Sequence, residues 1–169
     1  MRGRYSVVVL SLLVTTPPLA AQASPATAVT ALGRLAPLVG RWTMASLPSG
    51  VTLVETCEWF PGERHVICQM RSRSSEWQRA ALTVFSYDAA DSSYAMTAFG
   101  SGGQQSVARG RARGDTLVFE GDLRTGTGQK RTRVTIVPRS DGFDLHEQEA
   151  DGQGGWAPSA RIRYVRAPS

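Results

Sequence analysis

Two glutamates are placed where a protein made of strands would bury a carboxylate. Glu55 alternates with apolar residues along one strand-like run, as Glu147 does along another. Since side chains alternate between the two faces of a strand, both carboxylates fall on the more apolar face. Such a group becomes neutral, pairs with an arginine, contacts a polar ligand head or acts as a general base. A one-residue change of register would instead return either glutamate to the surface.

Three other side chains share these faces and would complete an interior site. On the hairpin that carries Glu55, Trp59 lies on the same face and Met70 lies opposite. In the final strand Tyr164 lies on the more apolar face. We predict that these three residues and the two glutamates line a ligand site, and we assign none of them a catalytic role.

The sequence gives little support for a serine hydrolase or for a haem site. No Gly-x-Ser-x-Gly occurs, and His65 and His146 are the only histidines. Both fall on the polar face of their strands, so neither is placed to activate a nucleophile. A haem-binding barrel is an alternative, but the last strand carries Tyr164 where related small barrels hold a histidine. We expect no metal and no cofactor.

The two cysteines are placed to form a disulfide across a hairpin. Cys57 and Cys68 are equally far from the centre of the turn Pro61-Gly62-Glu63-Arg64. They therefore face each other on neighbouring strands, which suits a disulfide in an oxidising compartment. A metal site would need more ligands at closer spacing.

The first 23 residues read as a secretory signal peptide. Arg2 and Arg4 precede an apolar run from Val7 to Thr15, and Ala21-Gln22-Ala23 is a small-x-small cleavage site. The apolar run is too short, and too soon followed by prolines, to span a membrane. We expect a periplasmic or secreted bacterial protein, with residues 24–30 as a mobile leader.

The charge of the chain gives no support for a nucleic-acid partner. The formal net charge is +5, and removal of the signal peptide lowers it to +3. Basic residues alternate with small or apolar ones at 109–113, 130–133 and 161–163, as on the solvent face of a strand. Nucleic-acid binding needs a continuous basic surface with aromatic stacking partners.

The remainder of the chain, residues 31–169, reads as one all-β domain. Leucines three apart and a following glycine predict one short helix over Ala31–Val39. Nine or ten short strands follow at steady spacing, separated by glycine or aspartate turns. This pattern is typical of an antiparallel barrel or sandwich.

A set of collinear features gives a family resemblance over residues 32–166. In chain order they are Gly40-Arg41-Trp42, Tyr87-Asp88, Tyr94, Gly100, Gly110, Gly121 and Tyr164-Val165-Arg166. The chain resembles the lipocalin-like bacterial proteins grouped as domain of unknown function 1579. The resemblance implies a closed antiparallel β-barrel with a small interior cavity, and it implies no activity.

Closure of such a barrel would bring its first and last strands together. We predict that Trp42 plugs one end of the barrel, with Arg166 laid across its indole. A similar pair does this in lipocalin-like barrels, so the resemblance implies the same arrangement. The alternative is that Arg166 frays at the chain terminus.

These observations favour an exported barrel that binds a small, largely apolar molecule or serves as a structural module of the cell envelope. The alternatives are an isomerase or hydrolase that uses Glu55 or Glu147 as general base, a haem-binding barrel, and a module that binds proteins through its outer face. An interior void with converging polar groups would favour binding or catalysis. A barrel interior filled by its own side chains would instead favour the module that binds proteins through its outer face.

Overall fold

Ten β-strands follow a short helix in the structure, a computed structural model that describes residues 25–168. The strands are Gly40–Met44 (β1), Thr52–Trp59 (β2), His65–Arg73 (β3), Gln78–Asp88 (β4), Ser93–Gly100 (β5), Gln105–Arg113 (β6), Thr116–Thr125 (β7), Gly128–Arg139 (β8), Gly142–Ala150 (β9) and Trp156–Arg166 (β10). The expected signal peptide, residues 1–23, lies outside the described residues. No helix within 25–168 is long and apolar enough to cross a membrane.

The strands form one closed antiparallel barrel. Each strand pairs with the next along the chain, and β1 pairs with β10 to complete the circle. The closing register places Trp42 opposite Arg166 and Met44 opposite Tyr164. Closure leaves no unpaired sheet edge in the barrel. The expected fold, an all-β closed barrel of nine or ten strands after a short helix, is confirmed.

The helix differs in its bounds from the one expected over Ala31–Val39. An α-helix spans Pro25–Gly33 (α1), and a separate 3-10 turn spans Ala36–Leu38. Pro37 explains the break, because proline lacks the N–H of an α-helical hydrogen bond and disfavours helical geometry in the residue before it. Residues 25–30 of the expected leader therefore belong to α1.

The last strand, β10, begins at Trp156 and contains Pro158. Pairing with β9 shifts register between Pro158 and Ala160, where the strand bulges. Proline cannot donate to the ladder, and a bulge is one of the few places where a sheet accepts it. The bulge brings Ser159 to the barrel interior.

Trp42 closes one end of the barrel, as expected. The side chain is 1% exposed, and its Nε1 donates a hydrogen bond to the Leu38 carbonyl oxygen at 2.6 Å. Phe143 packs edge-on against the indole, with ring centroids 5.3 Å apart. The Arg166 guanidinium lies 4.1 Å from the centroid of the indole, although Arg166 as a residue is exposed.

Gly40 makes room for this arrangement. Its φ is 148°, which L-residues with a side chain rarely adopt, and a Cβ there would clash with the Arg166 Nη1 atom. The glycine at the start of β1 therefore leaves space for the Arg166 side chain to lie over the Trp42 indole.

Candidate functional site

The barrel interior holds a cavity of about 360 Å³. Its walls are mainly apolar and include three methionines, Met44, Met70 and Met96. On the wall formed by β4, β5 and β6 the lining residues are mostly small: Ala81, Thr83, Ala98 and Ser106. Small side chains on one wall leave the barrel partly unfilled, so an interior site of small-molecule size exists.

Glu55 faces this cavity from the middle of β2. Its strand neighbours in the ladder are Trp42 on one side and Met70 on the other. Burial raises the pKa of Glu55 above its ordinary value, and a hydrogen bond with Tyr164 partly offsets that rise. Burial and the nearby Glu55 carboxylate together raise the pKa of the Tyr164 hydroxyl. Tyr164 therefore stays protonated and donates to Glu55.

Glu147 faces the same cavity from β9. Burial raises its pKa, and the negative charge of Glu149 raises it further. Glu149 lies nearer the open end, where Lys130 Nζ, from β8, contacts its Oε2 at 2.8 Å. The site thus has an ion pair near its mouth and two carboxyls without a cationic partner deeper inside, among the described residues.

The predicted disulfide lies in the cavity wall. Cys57 and Cys68 are bonded to each other and are register partners on β2 and β3, each 2% exposed. Possible ligand atoms of Glu55, Cys57 and Cys68 lie within 4.8 Å of one another. Because the two sulfurs are bonded to each other, thiolate ligands for a metal ion are not available in this form.

The structure brings together four of the five predicted lining residues. Glu55, Met70, Glu147 and Tyr164 all line the cavity. Trp59 lies four residues beyond Glu55 at the end of β2 and packs against the hydrophobic core rather than lining the cavity. Four residues of strand span about 13 Å, so Trp59 lies well beyond Glu55 along β2.

Several polar lining residues were missed by sequence reasoning. They are Thr83, Ser106, Thr132, Glu149 and Ser159. Glu149 continues the alternation of Glu147, and that signal was present in the sequence. Ser159 reaches the interior because β10 bulges, and the two-residue alternation of a regular strand does not predict a bulge.

The two histidines lie away from the cavity. His65 is exposed at the start of β3. His146 has Thr135 and Arg161 as cross-strand neighbours, on the outer face of the barrel. Neither imidazole is among the residues that line the cavity, so neither can ligate an iron held there.

A scan against models of protein families finds no match, and no curated protein matches the chain significantly.

Proposed function

We propose that the protein is an exported β-barrel that binds a small, largely apolar molecule in its interior. The observation that carries the proposal is the cavity of about 360 Å³, with apolar walls and a few converging polar groups. Ligand sites in proteins have this size and composition. A purely structural module or a protein-binding barrel would need no such void, since its own side chains could fill the interior.

The two deep carboxyls support the same proposal. A carboxylate in an apolar interior lowers stability unless it is paired or hydrogen-bonded. Glu55 has only the Tyr164 hydroxyl, and Glu147 faces the added repulsion of Glu149. Apolar residues at these positions would stabilise the barrel more, so the carboxyls are better explained by contact with the polar head of a ligand.

Export and family membership are part of the proposal. The small-x-small motif after an apolar run supports cleavage of a signal peptide, and the Cys57–Cys68 disulfide fits an oxidising compartment. The closed barrel with its indole and guanidinium pair fits the lipocalin-like group named above. We therefore propose a periplasmic or secreted member of that group.

Titration with N-phenylnaphthylamine, an uncharged probe that fluoresces in apolar sites, tests the binding function. The wild-type protein is expected to bind the probe with saturation. Ala81→Phe fills the cavity and is expected to weaken binding at least about tenfold. Ala80→Phe is the matched control, since Ala80 is the adjacent, exposed residue on the outer face of β4.

Two results would overturn the binding function. One is the absence of saturable probe binding together with no ligand in native mass spectra of protein taken from its own host. The other is equal binding by the two phenylalanine variants, which would place the probe outside the cavity.

A proton-transfer enzyme is the second candidate, favoured by the hydrogen-bonded pair of Glu55 and Tyr164. Its raised pKa makes Glu55 a stronger base than an ordinary carboxylate. Chromatography of the natural ligand after incubation separates the two functions. Conversion by wild type and not by Glu55→Gln indicates an enzyme, whereas recovery of unchanged ligand indicates a binding protein.

A further inference from the structure

The charged groups that line the cavity are all of one sign. Among its described lining residues, Glu55, Glu147 and Glu149 carry carboxyls, and none is a lysine, arginine or histidine. Lys130 lies near the mouth and contacts Glu149 at 2.8 Å. The two deeper glutamates therefore share an interior that offers negative charge and no fixed cation.

Hydrogen-bonding capacity is equally one-sided. An ionised carboxylate only accepts hydrogen bonds. The Tyr164 hydroxyl donates to Glu55, and burial keeps that hydroxyl protonated by raising its pKa. The other polar lining groups are hydroxyls, which can donate or accept. A ligand that brings donors and positive charge complements the two glutamates in their ionised form.

We propose, on the basis of the binding function proposed above, that the occupant is an amphiphilic amine. Its ammonium group contacts an interior carboxylate, that of Glu55 beside Tyr164 or that of Glu147, and its apolar body lies along the methionine and aliphatic walls. An ammonium has three donors and no acceptor, which matches groups that only accept. Charge-assisted hydrogen bonds in an apolar surrounding are stronger than neutral ones.

The apolar walls suit this class of ligand. Phe85, Phe143 and Tyr164 line the cavity, and their ring faces attract cations as well as apolar groups. Phe143 and Tyr164 are stacked, with ring centroids 4.7 Å apart, next to the Glu55 carboxyl that Tyr164 contacts. Three methionines in the walls adapt to bodies of different shape.

Proton balance follows from the same contacts. A glutamate that is protonated in the empty cavity becomes ionised when an ammonium arrives, and its proton passes to solvent. If the ligand arrives as a neutral amine, the glutamate proton passes to the amine nitrogen. In both cases the bound state is an ammonium–carboxylate pair, with no bond broken in the ligand.

Competition against bound N-phenylnaphthylamine at neutral pH tests the proposal with three probes of one apolar body. The probes are phenylbutylamine, phenylbutanol and phenylbutyric acid. The amine is expected to displace the reporter at a concentration at least about tenfold lower than the alcohol, and the acid is expected to be the weakest. Alcohol or acid as effective as the amine would overturn the proposal while leaving the binding function intact. Failure of the reporter itself to bind would instead count against the binding function.

Glutamine variants locate the cation. Glu55→Gln is expected to reduce the advantage of the amine over the alcohol to about threefold or less, because the charge-assisted bond is lost. Glu58→Gln is the matched control, since Glu58 is exposed on the outer face of the same strand. Glu147→Gln serves as the test if circular dichroism shows that Glu55→Gln does not fold. An amine preference that survives both interior variants would overturn the assignment.

Discussion

Removal of the Trp42 indole is expected to lower the free energy of unfolding by about 3–5 kcal/mol. The estimate follows from its position: the side chain is 1% exposed and packs against Phe143 at a closed end of the barrel. Trp42→Ala would leave a void that the ten-stranded ladder cannot collapse to fill. The fold is expected to persist in a less stable form, because all ten strand pairings are untouched.

Smaller substitutions divide this loss into its parts. Trp42→Phe keeps an aromatic ring and removes the N–H that bonds the Leu38 carbonyl at 2.6 Å. The unpaired buried carbonyl is expected to cost about 1–3 kcal/mol. Arg166→Met keeps an unbranched stem and removes the guanidinium that lies 4.1 Å from the indole centroid. Since Arg166 is largely exposed, the lost cation–π contact is worth about 0.5–1 kcal/mol, at the lower end of the range.

A double-mutant cycle measures that contact directly. Urea unfolding of wild type, Trp42→Ala, Arg166→Met and the double variant is followed by circular dichroism, with the disulfide kept oxidised. We expect a coupling energy of about 0.5–1 kcal/mol between the two sites. Arg161→Met is the matched control, since Arg161 is exposed on the outer face of the same strand and is expected to be additive with Trp42→Ala. Additive losses for Arg166 as well would refute the idea that its guanidinium stabilises the plug.

Four further predictions concern the disulfide, the interior charge, the signal peptide and haem. Replacing Cys57 and Cys68 together by alanine is expected to lower the free energy of unfolding by about 3 kcal/mol, and labelling of the unreduced, denatured wild type should find no free thiol; two labelled thiols per chain would contradict the bond. Glu55→Gln is expected to stabilise the barrel at neutral pH, because burial raises the pKa of Glu55 and its ionisation then destabilises the folded state. Thermal unfolding as a function of pH measures this gain in stability. The gain should vanish at pH values below 4.5, the ordinary pKa of the group, and at higher pH it should reach about 1.4 kcal/mol for each unit by which the pKa is raised. A gain independent of pH would show another cause. Amino-terminal sequencing of the exported chain is expected to begin at Ser24, and an uncleaved chain in the periplasm would contradict the signal-peptide assignment. Haemin is expected to give no stoichiometric Soret band, whereas a one-to-one titration abolished by His146→Ala would revive the haem-binding alternative.

The strands of this barrel were predictable because two local signals agree along most of the chain. Alternation of apolar and polar residues marks half-buried strands, and glycine or aspartate marks the turns between them. The register of the β2–β3 hairpin followed from the midpoint of its turn, and it places Cys57 opposite Cys68. Pairing of β1 with β10 joins residues far apart in sequence, so only the family resemblance indicated it.

The helix shows where local signals competed. Leucines three apart fit a helix over Ala31–Val39, yet they fit a 3-10 turn as well, because that turn has three residues per turn. Pro37 decides between them, and the α-helix lies before it at Pro25–Gly33. Proline was the stronger signal, since it removes a hydrogen bond as well as restricting the backbone.

The interior site was predictable in its parts and unpredictable as a whole. The alternation of apolar and polar residues correctly predicted that the Glu55 and Glu147 side chains face the barrel interior. The volume of the void depends on the sum of side chains around all ten strands, which no single strand reveals. The contact of Lys130 with Glu149 depends on the register between β8 and β9, and a one-residue slip would remove it.

The interior carboxyls link the stability of the barrel to its occupant. Ionised Glu55 and Glu147 destabilise the empty folded state, because burial disfavours their charge. A bound cation removes that penalty, so its binding energy appears as added stability of the folded protein. A neutral apolar ligand would stabilise the barrel equally with or without the two charges. The dependence of ligand-induced stabilisation on Glu55 and Glu147 therefore separates a cavity that is merely open from one that is chemically selective.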